Sequence, residues 1–198
     1  AGLVDHENGV LVWSPHSAGG RVELGREVAE ALGRPVVVDN DANLAALAEA
    51  RLGAGRGHHL VLLVARGAGI GGGLVLDGRV ERGRGFLGEV GHMVLDPRGP
   101  TCACGRRGCW EALVSGTSLG RAARRLAARD AGGGVARAAG GSSPRGEHLT
   151  AAAREGDPAA RAELSEAGEW LGRGLANLVV ALDPDVVVVG GMAAAVGR

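Results

Sequence analysis

Cys102-Ala103-Cys104-Gly105-Arg106-Arg107-Gly108-Cys109-Trp110-Glu111, with Gly91-His92 shortly upstream, gathers all three cysteines of the chain and one of its six histidines into one short segment. Tetrahedral zinc takes four thiolate or imidazole ligands. A Cys-x-Cys pair, a third Cys five residues on and the upstream His supply that number with none left over. Gly105 and Gly108 fit the same reading, because a loop that wraps three thiolates around one ion needs residues that accept left-handed or tight-turn backbone. Three unrelated buried thiols are the alternative, and spacing this tight disfavours it. A disulfide framework is disfavoured by the odd count and by the lack of a visible secretory signal.

The rest of the composition bounds the answer. The 198 residues suffice for one domain or the larger part of a two-domain protein. Apolar residues make up 45% but aromatics only 2%, and there are 37 glycines, so the core is expected to be Val, Leu and Ala with many tight turns. Basic and acidic residues balance at 22 each, which lacks the electrostatic footprint of a dedicated nucleic-acid binder, and no nucleic-acid partner is expected through this segment. Every basic residue is Arg, which reads as coding bias. No apolar run approaches bilayer length, so no membrane partner is expected, and with reduced thiols the expected location is cytoplasmic. The chain opens on Ala-Gly-Leu-Val-Asp without Met and closes on Val-Gly-Arg after a Gly-Gly pair, and is expected to be truncated at both ends.

Strands are expected at residues 10–13, 36–38, 60–65, 73–76 and 185–189, with Asp77-Gly78 as a hairpin turn. Helices are expected at 22–32, closed by Gly33, from Asn40 or Asp41 to about 52, and at 118–129, 150–155 and 158–182, the last broken or kinked near Gly172 and Gly174. Residues 67–73 read as a glycine-rich turn and 132–146 as a mobile surface loop. Val/Leu-rich strands alternating with long helices indicate an α/β architecture.

Three segments besides the cysteines carry chemistry. In Gly67-Ala-Gly69-Ile-Gly71-Gly72-Gly73 the bare backbone N–H groups could approach phosphate oxygens, although a plain tight turn explains the glycines equally well. Asp39-Asn40-Asp41-Ala42-Asn43 follows an expected strand, where open α/β sheets place ligand-binding groups, and a carboxylate there can take a proton from an attacking hydroxyl. Helix capping is the plainer account, and it needs only one of these polar residues. Glu89, His92 and Glu111 bracket the cysteine loop, so a metal would orient two carboxylates and an imidazole suited to vicinal hydroxyls.

Together, Asp39-Asn-Asp41-Ala-Asn43, Gly67-Ala-Gly-Ile-Gly-Gly-Gly73, Glu89-Val-Gly-His92 and Cys102-Ala-Cys-Gly-Arg-Arg-Gly-Cys109-Trp-Glu111 resemble the ROK family of repressors, open reading frames and sugar kinases. The resemblance implies the actin- and hexokinase-type α/β fold of two ribonuclease-H-like lobes, mostly the larger one being present. Residues 1–40 would end the small lobe, 41–189 would form the large lobe with the zinc loop, and 190–198 would begin a returning segment. It implies structural zinc on His92, Cys102, Cys104 and Cys109, and sugar contacts from Asn40, Asp41, Glu89, His92 and Glu111, with Asp41 as general base. ATP and Mg²⁺ are implied as well, with Gly67, Gly69, Gly71 and Gly72 against the nucleotide phosphates and Gly190 and Gly191 opening the adenosine segment. A hexose ligand and a homo-oligomer follow from the same resemblance.

Two departures accompany it. The family's first phosphate loop, of Asp-x-Gly-Gly-Thr type, is nowhere in the sequence. Kinases of the family usually carry Thr where Ala68 stands, and Arg66 before it is unusual; a lost hydrogen bond to a charged group is worth about 1.5–3 kcal/mol, which would weaken ATP use without abolishing it. The expected function is glucokinase-like phosphorylation of a hexose. The alternative is a sugar-sensing repressor whose DNA-binding region lies outside this segment, and a third outcome is a segment that does neither.

Overall fold

The computed structural model describes residues 2–14 and 20–191. The chain divides into two compact units, each assembled from separate stretches. One comprises Ala1–Val64, Gly72–Gly88 and Pro184–Val188; the other comprises Ala65–Gly71, Glu89–Asp183 and Val189–Arg198.

The first unit opens with a hairpin of β1 (Leu3–Asp5) and β2 (Val10–Trp13), antiparallel with Asp5 opposite Val10. Its turn is closed by Asn8, whose side-chain amide donates to Asp5 Oδ2 at 2.9 Å, and by Gly9 at φ +66°. Helix α1 (Leu24–Leu32) ends at Gly33 in the left-handed conformation, as the sequence suggests. Helix α2 (Asp41–Leu52) then starts at Asn40, whose side-chain oxygen accepts the Ala42 N–H at 2.8 Å.

Strands β3 (Leu60–Arg66), β4 (Ile70–Leu76), β5 (Arg79–Glu81) and β6 (Val186–Gly191) form one sheet in the order β5-β4-β3-β6. Val61 to Val64 are buried, which accounts for the unbroken apolar run. The Asp77-Gly78 turn has both residues at positive φ, the geometry a two-residue hairpin needs. Gly73 lies within β4 rather than in a turn. A Cβ there would stand 2.6 Å from Ala46 Cβ and 2.8 Å from the Ala42 carbonyl, so its bareness lets α2 lie directly on the strand. After the helices, Asp185 receives the His59 and Leu60 N–H groups on one carboxylate oxygen, both at 2.8 Å, at the entry to β6.

The second unit is largely helical: α3 (Trp110–Val114), α4 (Gly116–Arg129), α5 (Gly134–Ala139), α6 (Gly146–Arg154) and α7 (Pro158–Leu182). Leu119, Ala123, Val135, Leu149, Ala152 and Ala160 form a core of α4 to α7 in which small side chains let the helices approach closely. Asp157 caps α7 and Pro158 fills its first turn.

Four expectations are corrected. Residues 36–38 form no strand and Val37 is 84% exposed; β-branched side chains favour extended backbone, but a strand needs a ladder partner, and none pairs with this stretch among the described residues. The glycine turn is confined to residues 67–69, with Gly71, Gly72 and Gly73 inside β4. Residues 132–146 are not simply a loop: they contain α5, with Val135 and Ala139 buried, and Gly140 is its left-handed cap. Finally, α7 runs unbroken through Gly172 and Gly174, because glycine weakens a helix without bending it unless something inserts into its hydrogen bonds. The strand β1 carried no separate signal in the sequence.

Candidate functional site

The cysteine loop folds back on the segment before it. Backbone N–H groups of Leu95 and Gly108 donate to the carbonyls of Gly108 (2.9 Å) and Pro100 (2.8 Å), and Cys102 N–H donates to Arg106 at 2.8 Å. Gly105 at φ +86° and Gly108 at φ +69° make the two reversals, and a Cβ on Gly108 would collide with the Asp96 backbone. His92 arrives from a 3₁₀ turn, Val90–His92, whose Gly91 packs against the Ile70 backbone with no room for a side chain.

One ligand atom from each of His92, Cys102, Cys104 and Cys109 lies within 4.8 Å of all the others. Cys102 Sγ is 3.7 Å from His92 Nδ1, and Cys104 Sγ is 3.6 Å from Cys109 Sγ. Metal bonds of about 2.3 Å to sulfur and about 2.0–2.1 Å to nitrogen set tetrahedral ligands roughly 3.6–3.8 Å apart, so the donor set fits zinc in number and chemistry, and these two pairs fit it in spacing. The sulfurs differ in charge preference. Burial pushes the Cys102 thiol up, the facing Glu111 carboxylate adding to it, and burial likewise raises Cys109. Burial also acts to raise Cys104, but the Arg106 N–H and guanidinium, with the two neighbouring thiols, outweigh it and hold Cys104 at about 6. Three sulfurs this close cannot all ionise without a cation among them.

Two carboxylates adjoin the cluster. Glu111, in the first turn of α3, places Oε1 3.1 Å from Cys102 Sγ and 3.8 Å from His92 Nδ1, while its Oε2 accepts the Ile70 N–H at 3.4 Å. Glu89 Oε2 lies 3.9 Å from His92 Nε2. The imidazole therefore turns Nδ1 toward the sulfurs and Nε2 toward Glu89. With Nδ1 on a metal, Nε2 carries the proton and is a donor. The glycine turn belongs to the same unit: Gly67 N–H donates to the Gly69 carbonyl at 3.0 Å, and the first turn of α4 ties it down through Gly116 N–H to Gly67 (2.8 Å) and Thr117 N–H to Ala68 (3.2 Å). Gly69 faces Glu111; a Cβ there would lie 2.6 Å from Oε2. Gly190 lies in β6, and Gly191, at φ +76°, passes closely over the Arg66 backbone. Arg66 is itself buried, its Nε donating to the Val114 carbonyl at 2.6 Å.

Asn40 and Asp41 belong to the other unit. Asn40 spends one lone pair of Oδ1 on the cap and one Nδ2 proton on the Gly2 carbonyl at 3.1 Å, which among the described residues leaves it one acceptor site and one donor. Asp41, the first residue of α2, is exposed. A cavity of about 280 Å³ lined by Gly2, Ser14, Val38, Asp39 and Asn40, among others, opens beside Asn40. Asp39 was not among the expected site residues. Its carboxylate receives Arg82 Nη2 at 2.5 Å and Nε at 2.9 Å on one oxygen, and the Asn40 N–H at 2.8 Å and Asn43 Nδ2 at 3.1 Å on the other. Burial acts to raise the Asp39 carboxyl, but these donors outweigh it and hold it below its usual value. No local spacing signals Arg82, which stands 43 residues away.

Residues 1–197 match the family model described as ROK family. The chain belongs to the ROK family. This ROK chain is 38% identical to a glucokinase of Streptomyces coelicolor over 196 residues, 96% of the chain and 62% of that relative. A ROK family glucokinase from Streptomyces griseus, solved in complex with glucose and AMPPNP, superposes with a TM-score of 0.88 at 39% identity, covering 99% of this chain and 64% of that one. A ROK family transcriptional regulator homologous to the E. coli MLC protein superposes with a TM-score of 0.84 at 34% identity, covering 96% of this chain and 48% of that one. The chain thus spans less than two thirds of the length of each of these relatives. Its mixed α/β fold is the actin- and hexokinase-type fold of ROK glucokinases. Among the described residues no helix is long and apolar enough to cross a membrane.

Proposed function

We propose that this protein transfers the γ-phosphoryl group of ATP to a hydroxyl of a hexose. The observation that carries the reading is the TM-score of 0.88 over 99% of the chain with a glucokinase solved with glucose and AMPPNP. Asp41 is the general base: it takes the hydroxyl proton as the sugar oxygen bonds to phosphorus and ADP leaves; Mg²⁺ brought with the ATP would supply charge neutralisation on the phosphates. Asn40, with one acceptor site and one donor not taken by the described residues, orients the sugar beside it. Glu89, His92 and Glu111 hold further hydroxyls.

His92, Cys102, Cys104 and Cys109 would hold zinc, which supplies structural fixation of the loop and of His92 rather than a step in the transfer. Gly67, Gly69, Gly71 and Gly72 would lie against the nucleotide phosphates, and Gly190 and Gly191 would open the adenosine segment. Support for the turn is its anchoring by α4 through Gly67 and Ala68 and the open space beside Gly67. A homo-oligomer in the cytoplasm remains the expectation from the family resemblance.

A second reading, a sugar-responsive transcriptional regulator, is favoured by the TM-score of 0.84 with a ROK regulator and by the missing hydroxyl at Ala68. The experiment is hexose-dependent ADP release with Mg-ATP by the protein made from the whole reading frame, paired with calorimetric hexose binding and with Asp41→Asn. Turnover with one hexose that disappears in Asp41→Asn, hexose affinity being kept, is the expected result. Hexose binding without turnover selects the regulator, and turnover that survives Asp41→Asn removes Asp41 as the base.

A further inference from the structure

We infer that Arg82 is a positioning residue for Asn40 and Asp41, acting through the buried carboxylate of Asp39. The kinetic part of this inference rests on the kinase reading; the binding part does not.

Helix α2 ties Asn40 to its first turn through the Ala42 N–H on Asn40 Oδ1 at 2.8 Å and the Leu44 N–H on the Asn40 carbonyl at 3.0 Å. The first N–H groups of a helix have no partner within it, and Asn40 stands outside the helical backbone. Behind it, Ala42 and Ala46 lie on Gly73 of β4, which fixes the helix body. Ahead of the helix, Asn40 is held by its Nδ2 on the Gly2 carbonyl at 3.1 Å and by its backbone N–H on Asp39 at 2.8 Å. The Asp39 side chain is 3% exposed, and a carboxylate so placed persists as an anion only where donors surround it.

The four donors come from two directions. The Asn40 N–H and the Asn43 amide, on Oδ1, belong to the stretch to be positioned. Arg82 Nε and Nη2, on Oδ2, come from just beyond β5. Arg82 is itself held, since Nη1 donates to the Val80 carbonyl of β5 at 3.0 Å. The connection therefore runs from the strand backbone through a planar guanidinium to one carboxylate oxygen, and from the other oxygen to the peptide that carries Asn40 and leads into Asp41. A rigid fork at one end and a backbone N–H at the other transmit position better than a flexible ammonium would. Asn43 strengthens the dependence. Its Oδ1 is buried without a hydrogen-bond partner among the described residues, so its orientation relies on the amide bond to Asp39.

The test compares Arg82→Met, Arg82→Lys and the double variant Asp39→Leu/Arg82→Met, in the protein made from the whole reading frame. It reads thermal midpoint, calorimetric hexose affinity, kcat, and KM for hexose and ATP. Arg82→Met leaves a buried carboxylate unpaired, so the midpoint falls; hexose affinity falls about ten-fold and kcat about a hundred-fold, as displacing a reacting group by an ångström does, with KM for ATP unchanged. Arg82→Lys recovers part of each. The double variant, with both charges gone, recovers the midpoint but neither kcat nor hexose affinity. Recovery of all three in the double variant, or wild-type affinity and kcat in Arg82→Met below its melting range, overturns the inference. If Arg82→Met does not fold, the other two variants carry the comparison. A wild-type protein that binds hexose without turnover defeats the kinase reading alone, and weakened binding in Arg82→Lys then still supports the positioning role. A wild-type protein that binds no hexose defeats both.

Discussion

The indole of Trp110 occupies the space that a side chain on Gly174 would need, and its Nε1 donates to the Trp170 carbonyl at 3.0 Å in the same helix. Trp110 is fully buried and immediately follows Cys109, so the long helix α7 directly backs the cysteine loop.

Gly174→Ala and Gly172→Ala should therefore have opposite signs. Alanine is favoured over glycine in a helix by about 1 kcal/mol. At Gly172, where an added Cβ meets nothing within 4 Å, that gain stands alone. At Gly174 overpacking against a rigid buried ring costs about 1–3 kcal/mol and outweighs it. Urea denaturation of the two variants checks the difference; equal stabilisation by both would mean that Trp110 does not sit on α7.

Replacing Cys104 by Ser removes a soft ligand from the four-atom cluster. Zinc content should drop from one per chain to near zero by elemental analysis, and the near-ultraviolet circular dichroism of Trp110 should weaken as the adjoining loop loosens. Retention of one zinc per chain in Cys104→Ser would exclude this thiol as a ligand.

Gly69→Ala should separate binding from stability. The new Cβ would approach only the end of the Glu111 side chain, at 2.6 Å from Oε2, and that flexible end can move. The thermal midpoint should change little, while hexose affinity falls several-fold because the carboxylate leaves its place beside Cys102. Calorimetry showing wild-type affinity would mean that Glu111 does not contact the sugar.

The Asp157 cap gives a pH signature. Its carboxylate accepts the Ala160 N–H at 2.8 Å and the Gly134 N–H at 3.1 Å, joining α7 to α5, and these bonds, the Ala160 one foremost, lower its pKa from 3.8. A lowered folded-state value means that the contribution is complete above pH 3.8 and is lost as pH falls through the lower value. Asp157→Ala should cost about 1 kcal/mol near neutral pH, and the gap from wild type should narrow below pH 3.8 in urea melts. A gap that widens in acid would contradict the cap.

Elements with a strong local signal could be read directly. The apolar run of β3, the Asn40 cap of α2, the Asp77-Gly78 turn and the Gly33 stop all arise from interactions a few residues apart. Glycine misled the reading where its reason was distant. Gly174 accommodates Trp110, Gly134 accommodates Asp157, and Gly73 accommodates α2, yet in sequence these glycines look like a kink, a loop and a turn. The valines of residues 36–38 misled in the opposite way, showing strand propensity without a strand partner.

The candidate site divides along the same line. The donor set of His92 and the three cysteines was legible because ligand type and spacing along one loop already restrict what it can hold. Only the tertiary structure decided that Glu111 reaches both Cys102 and the turn at Gly69, that His92 turns Nδ1 to the sulfurs, and that Arg82 grips Asp39 from 43 residues away. Local sequence sets backbone dihedrals and short-range hydrogen bonds, whereas the partner of a buried charge is set by which strands and helices pack side by side.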